Sequence, residues 1–219
     1  MLSLSDPGYP DNLRVVDNRP PLLFVAGGLS PDDRRAVAVI GTRQPSEHGR
    51  TLAHQTARSL ALAGYTVISG LAAGIDAEAH RAVLQLRDEG GGERASTART
   101  LAVLGTGLDR VYPAEHATLQ AQIAQAGALV SQFWPDAPPT QSSFPARNAL
   151  MSGLSLGSVI VEASERSGTR IQARHALAQG RRVVVMEPAL GIDWARELVA
   201  QGGAVAARDP ADVLDAFKL

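Results

Sequence analysis

Four turns of small and polar residues carry the chemistry this sequence could do: Gly41-Thr42-Arg43, Ser69-Gly-Leu-Ala-Ala-Gly-Ile-Asp76, Gly105-Thr-Gly107 and Ser167-Gly168-Thr169. Each follows or sits near an apolar run, where a strand of a doubly wound sheet gives way to a helix and where ligands settle. A glycine at such a turn removes the Cβ that would keep a phosphate away from backbone N–H groups. Gly70, Gly74, Gly105, Gly107 and Gly168 are therefore candidate phosphate-facing positions. An arginine directly after Gly-Thr at a strand end points toward the crevice mouth, which makes Arg43 a candidate phosphate ligand. A further cluster, Phe144-Pro-Ala-Arg147-Asn148, combines an aromatic face for a base, a guanidinium for phosphate and an amide for polar readout. These residue types suit an unpaired polynucleotide. The alternative is that Phe144 plugs the core while Arg147 and Asn148 begin a surface helix.

Asp76 and His80 lie four apart on an expected helix and share a face. They read either as a site carboxylate steadied by an imidazole, or as a first-turn carboxylate answering the helix dipole beside an incidental histidine. Gly105-Thr-Gly107 begins like a dinucleotide fingerprint, but Arg110 stands where the third glycine belongs. No P-loop glycine-lysine run is present, and no serine or threonine is tied by spacing to a base. The five histidines form no HExxH pattern, and the absence of cysteine excludes thiolate catalysis, disulfides and cysteine-ligated metal. No catalytic group, metal or cofactor is expected.

Apolar runs at Val37–Ile40, Thr66–Ile68, Leu101–Leu104, Ala128–Val130, Val159–Val161 and Val183–Val185 read as strands. They alternate with expected helices at Ser46–Ala63, Ala73–Leu86, Pro113–Gln125, Ile171–Gln179 and Trp194–Gln201. This rhythm predicts an α/β fold with a doubly wound, mostly parallel sheet covered by helices on both faces. The whole of 1–219 reads as one domain with three interruptions. These are a proline-rich arm over 1–31 whose Leu22–Val25 could add an edge strand or a covering arm, a charged insertion over 87–99 expected as a mobile loop away from the core, and a segment over 134–143 that could act as a flap over the site.

Composition narrows the function classes. The net charge of −1 provides no global field for a polyanion, so any nucleic acid must be held locally. All of the 21 basic residues except Lys218 are arginines, which suit bidentate phosphate contacts, although such a bias commonly follows genome composition. No stretch approaches the roughly 18 apolar residues of a membrane span, so a cytoplasmic location is the default.

Read in order, the four turns, together with Ala79-His80, Ala102-Val-Leu-Gly-Thr-Gly-Leu-Asp109, Tyr112-Pro113, Phe144-Pro-Ala-Arg-Asn148, Ser152-Gly-Leu-Ser155 and Val161-Glu-Ala163, closely resemble the DNA-processing protein A (DprA, also called Smf) family. The resemblance runs from about Tyr9 through Pro188. It implies an extended Rossmann-like domain that binds single-stranded DNA, dimerises and helps load the RecA recombinase in natural transformation. By position, Arg43 would hold phosphate and Phe144, Arg147 and Asn148 would line the strand pocket. The turns holding Thr42, Ser69, Gly70, Gly74, Asp76, Gly105, Gly107 and Asp109 would shape its floor, with Ser167, Gly168 and Thr169 closing one side. His116, Gln132, Gln172 and Glu187-Pro188-Ala189 depart from the family pattern.

Two other readings fit the same residues. One is a sensor or enzyme for a small nucleotide, since Gly168-Thr-Arg-Ile-Gln172 resembles the Gly-Thr-x-x-Glu element of phosphoribohydrolases, although an amide cannot act as a carboxylate base. The other is an interaction module that keeps only the fold.

Overall fold

The computed structural model describes residues 1–165 and 167–218. Its strands are β1 (Leu2–Ser3), β2 (Leu22–Gly27), β3 (Ala36–Ile40), β4 (Thr66–Ser69), β5 (Thr100–Val103), β6 (Ala128–Ser131), β7 (Gly157–Ile160), β8 (Arg182–Met186) and β9 (Val205–Ala207). They form one sheet in the order β1-β2-β6-β5-β4-β3-β7-β8-β9. All pairings from β6 to β9 are parallel, whereas β2 runs antiparallel to both β6 and β1. The helices are α1 (Asp11–Arg14), α2 (Glu47–Leu62), α3 (Ile75–Glu89), α4 (Glu93–Ser96), α5 (Ala117–Ala126), α6 (Ser143–Leu154), α7 (Gly168–Ala178), α8 (Asp193–Ala200) and α9 (Pro210–Phe217).

The sequence of β3 shows why the sheet is buried on both faces. Ala36, Ala38 and Ile40 pack into a core with α1, α6, α7 and α8, while Val37 and Val39 point the other way into a core with α2, α3 and α9. Successive strand side chains alternate between faces, and here neither face meets water. A third cluster joins Ala102 and Leu129 of the sheet to Leu119 and Ile123 of α5. Helix α2 begins where the sequence predicts, because Ser46 Oγ accepts a hydrogen bond from Gly49 N at 2.9 Å and satisfies an otherwise orphaned first-turn donor. The helix buries Leu52, Ala53, Thr56, Ala57, Leu60 and Ala61 at three- and four-residue spacing and is followed by Gly64 at φ +80°.

The strand order fixes the site. From β3 the chain steps through β4 and β5 to β6 on one side, then returns to place β7, β8 and β9 on the other. The connections therefore diverge between β3 and β7, and a crevice opens beyond their carboxyl ends.

Several elements differ from the sequence expectation. Helix α3 starts at Ile75 instead of Ala73, because Gly74 adopts φ +79° at its N-cap. Helix α5 starts at Ala117, after a 3-10 turn over Ala114–His116. The 87–99 segment was expected to be a loop away from the core. Instead α3 runs on to Glu89, and α4 buries Ala95 in the α2–α3 core, with Arg87 donating to Ala98 O at 2.7 Å. Strand β2 is not the sheet edge, since β1 pairs outside it. Strand β9 and helix α9 lay beyond the expected rhythm.

Leu60 is fully buried in the α2 face of the core. Leu60→Ala should cost about 2–5 kcal/mol of unfolding free energy in a urea titration. A loss below about 1 kcal/mol would contradict the packing of α2 against the sheet.

Candidate functional site

The crevice between the β3 and β7 ends encloses about 370 Å³, bordered by Gly41 and Arg43 after β3, Asp76 of α3, Phe144, Arg147 and Asn148 of α6, and Ser167–Thr169 at the start of α7. A second cavity of about 200 Å³ adjoins it on the β5 side and shares Arg43, Ala72, Phe144 and Arg147 with it. Together they make a two-lobed groove along the carboxyl edge of the sheet. Arg43 and Phe144 stand between the lobes, with the guanidinium carbon 5.9 Å from the ring centroid. In the second lobe the Tyr112 ring lies 5.6 Å from that of Phe144 and is 43% exposed.

The turns are locked to one another, and that is what presents Arg43. Thr42 N donates to Glu162 O at 2.8 Å, tying the end of β3 to the end of β7, and Ile75 N donates to Thr42 O at 3.2 Å. Gly41 is pressed against Ile75 and Glu162, where a Cβ would lie 2.8 Å from Glu162 O. Glu162 in turn accepts hydrogen bonds from Ser46 N and Oγ at 3.1 and 2.9 Å, holding the start of α2. With its backbone fixed in this way, the exposed side chain of Arg43 faces both lobes.

Arg147 sits differently from the sequence expectation of a phosphate ligand. Its guanidinium is buried, with Nη1 donating to Gly70 O and to Val103 O (2.9 Å) and Nε donating to Asn148 Oδ1 at 3.1 Å. It braces the ends of β4 and β5. Asp76 lies beside it and accepts from Gly70 N at 3.1 Å. Burial pushes the Asp76 carboxyl upward, opposed by Arg147 and by nearby backbone N–H groups. Burial also pushes Arg147 below its ordinary range, as does the neighbouring Arg43 charge, while Asp76 opposes both. Asn148 spends its amide internally as well, with Nδ2 donating to Gly168 O at 3.3 Å.

The glycines also act differently from expectation. A Cβ at Gly70 would overlap Arg147 Nη1, and one at Gly105 would lie 2.8 Å from the Phe144 ring. At these two turns the room left by the missing side chain is filled by protein. Gly107 is packed against the Trp134–Pro135 backbone, and Gly74 serves the α3 cap. Gly168 alone among these candidates is open, its nearest neighbour being Asn148 Nδ2 at 3.9 Å. It begins α7, where Ser167 Oγ accepts from Thr169 N at 3.2 Å. Arg170 N donates to Ser167 O at 3.3 Å, so it is the N–H of the exposed Gly168 that an anion would meet at this helix start.

Of the remaining expected residues, Thr42 and Ser69 support the turns from behind. Thr42 Oγ1 accepts from Gln44 N at 3.2 Å, and the fully buried Ser69 donates its Oγ–H to Val39 O at 2.7 Å. Asp109 is exposed and lines neither lobe, its N–H being held by Pro135 O at 2.8 Å. Tyr112 and Thr106 line the second lobe, and Met151, Ser164 and Gln172 the first, without having been singled out as ligand contacts. Tyr112 carried a signal in its Tyr-Pro motif, and Gln172 could have been found from its place four residues after Gly168 on one helix face. Gln172 is 1% exposed and donates Nε2–H to Ser158 Oγ at 3.2 Å.

Asp76 and His80 are not hydrogen-bonded to each other. The His80 ring is fully buried, with Nδ1 2.6 Å from Thr100 Oγ1 and Nε2 without a partner among the described residues. Burial, aided by the charges of His116 and Arg147, pushes its imidazole down to about 3. Among the described residues no group of three His, Asp or Glu side chains could hold a metal ion, and no helix is long and apolar enough to cross a membrane.

Comparison with known proteins bears on this groove. The family model for DNA recombination-mediator protein A matches residues 1–218, further at both ends than the stretch that carries the resemblance in the sequence. Protein Smf of Escherichia coli is 39% identical over 211 residues, a match covering 94% of this chain and 54% of that protein. The chain thus spans about half the length of that relative. The structure of DNA processing protein A from Streptococcus pneumoniae matches with a TM-score of 0.87 at 33% identity, covering 100% of this chain and 74% of the other. DNA processing protein A from Helicobacter pylori, in a structure describing its single-stranded DNA binding mode, matches with a TM-score of 0.81 at 26% identity, covering 99% and 98%.

Two outcomes test the site as built. In the unfolded chain His80 takes up a proton near its ordinary value, whereas the folded chain resists protonation down to about 3. The stability it supports is therefore complete above about pH 6.5 and is lost as pH falls toward 3, at about 1.4 kcal/mol per pH unit. Urea titrations between roughly pH 6 and 4 should give a visibly shallower decline for His80→Gln than for the parent chain; parallel declines would contradict a buried neutral imidazole. Removing the Arg147 brace should unfold the groove: Arg147→Ala should lose about 3–5 kcal/mol, since Asp76 stays buried without its cation. A thermal melt unchanged from the parent would show that the guanidinium is not a brace.

Proposed function

The chain belongs to the DNA recombination-mediator protein A family, and from that premise we propose that it binds single-stranded DNA along the two-lobed groove, protects the strand and assists its loading with RecA recombinase. Arg43 carries this reading. It is an exposed guanidinium on a fixed turn, over the face of Phe144, between two cavities open to the same edge of the sheet. A phosphate held by Arg43 has a base-sized lobe on each side, with Phe144 and Tyr112 available for stacking and the α7 start available for a second phosphate. Such contacts are indifferent to sequence, because each base has a face and each nucleotide a phosphate. They also favour an unpaired strand, since the rings reach bases only where no complement covers them.

The single-stranded DNA binding described for the Helicobacter pylori protein supports the ligand class. The mediator role is a non-enzymatic one, and it suits a groove whose buried titratable groups, Asp76 and Arg147, spend their hydrogen bonds on backbone and on Asn148. Dimerisation, recombinase contact and a cytoplasmic site of action are part of the proposal, drawn from the family.

Fluorescence anisotropy with labelled oligothymidine at low salt tests the reading. The parent chain should bind the single strand more tightly than a duplex of equal length, and affinity should fall linearly in log–log form as salt rises. Arg43→Ala should weaken binding roughly tenfold on all sequences alike and reduce the salt slope by about 0.7 for the lost phosphate contact. No binding of the parent chain at low salt would sink the proposal.

A further inference from the structure

Trp134 is 66% exposed, an unusual position for a large aromatic on a chain with two tryptophans. It follows β6, at the same carboxyl edge of the sheet where the groove lies. One side of its ring is backed by Phe24 of β2, with centroids 5.4 Å apart and planes tilted by 51°. The backbone beneath it is fixed to the β5 turn: Gly107 N donates to Ala137 O at 2.9 Å and Asp109 N to Pro135 O at 2.8 Å. Gly107 has no room for a Cβ, because the Trp134 and Pro135 carbonyls occupy that space. The backbone that carries the exposed indole is thus fixed, which lowers the entropy lost when the ring makes a contact.

The surroundings extend the groove toward it. Neighbouring strands are about 4.8 Å apart, so the turns after β3 and β6, three steps apart in the sheet, stand about 14 Å from each other. Between them lie Phe144 and Tyr112, and then Arg110, whose Nε donates to Asp136 O at 2.9 Å on the segment carrying Trp134. Asp109 and Asp136, both exposed, lie on the two backbone segments that hold the ring. They offset Arg110, so this end of the edge offers a base a flat apolar face more than it offers a phosphate a cation.

We propose that Trp134 is an outer stacking platform, taking a base of the same DNA strand after it leaves the second lobe past Tyr112. The assignment rests on the single-strand reading of the groove and adds a direction to it: the strand runs along the sheet edge from the α7 start, over Arg43 and Phe144, toward β6. The 134–143 segment then begins as a fixed shelf beside the groove, in place of a flap over it.

The test compares a short oligothymidine of about four nucleotides with a longer one of about twelve, since only the longer strand can span both ends. Trp134→Ala should weaken the longer strand about tenfold or more, as expected for loss of one base stack. It should leave the short strand and the salt slope unchanged, whereas Arg43→Ala lowers the slope. Trp134→Phe should keep most of the affinity. The longer strand should also quench the parent chain's tryptophan fluorescence, because the other tryptophan, Trp194, is only 6% exposed; the short strand should not. Equal affinities of Trp134→Ala and the parent for the longer strand, with no quenching, would overturn the platform while leaving the groove intact. Failure of the parent to bind either strand would instead count against the single-strand reading itself.

Discussion

The groove depends on one buried guanidinium. Arg147 reaches from α6 to the carbonyls of Gly70 and Val103 at the ends of β4 and β5, with Asp76 of α3 beside it. A charge taken out of water at this cost persists only where hydrogen bonds and an opposite charge replace the lost solvent. Meeting those demands sets the local sequence. Gly70 must lack a side chain to admit the guanidinium, Gly105 must lack one to admit Phe144 a turn earlier on α6, and Asn148 is drawn in to accept from Nε and to reach Gly168 on α7. Arg147 joins the two strand ends to α6 beside α3, and Asn148 carries the connection on to the start of α7.

Because Arg147 turns inward, the outward electrostatics fall to other groups. Arg43 stands on a turn pinned from both sides by Glu162 and Ile75, so it has little backbone freedom to lose on binding. The chain as a whole is nearly neutral, and long-range attraction of a polyanion is weak. On the proposed reading, affinity for a strand is built at short range, from Arg43, the start of α7 and a row of rings. This arrangement pairs an electrostatic contact that salt screens with stacking contacts that it does not.

Much of the fold was legible in the sequence. The all-apolar runs at β3, β5 and β8 and the Ser46 cap predict strands and a helix from local rules alone, and their alternation puts a ligand beyond the carboxyl ends of the strands; the place of the crevice between β3 and β7 needs the strand order that only the fold supplies. What local rules could not supply were the distant partners. Gly70 and Gly105 read as glycines that let a phosphate approach the backbone, but the occupant of the space is a residue of α6 more than 35 positions away in sequence. Arg147 reads as a phosphate ligand because its type is right; only the tertiary structure shows its hydrogen bonds spent on carbonyls. Ala95 and Ala98 sit in a charged, glycine-rich stretch without clear periodicity, so their burial against α2 and α3 could not be foreseen.

Cross-linking of a 4-thiothymidine oligonucleotide to the full chain, followed by peptide mass spectrometry, would locate the strand most directly. The account predicts adducts on the peptides that carry Phe144, Tyr112 and the start of α7, all on the carboxyl edge of the sheet. A smaller cavity at the opposite edge, bordered by Tyr9, Pro31 and Leu154, provides the contrast. Adducts confined to that edge would contradict the claim that the β3–β7 crevice is where this protein meets DNA.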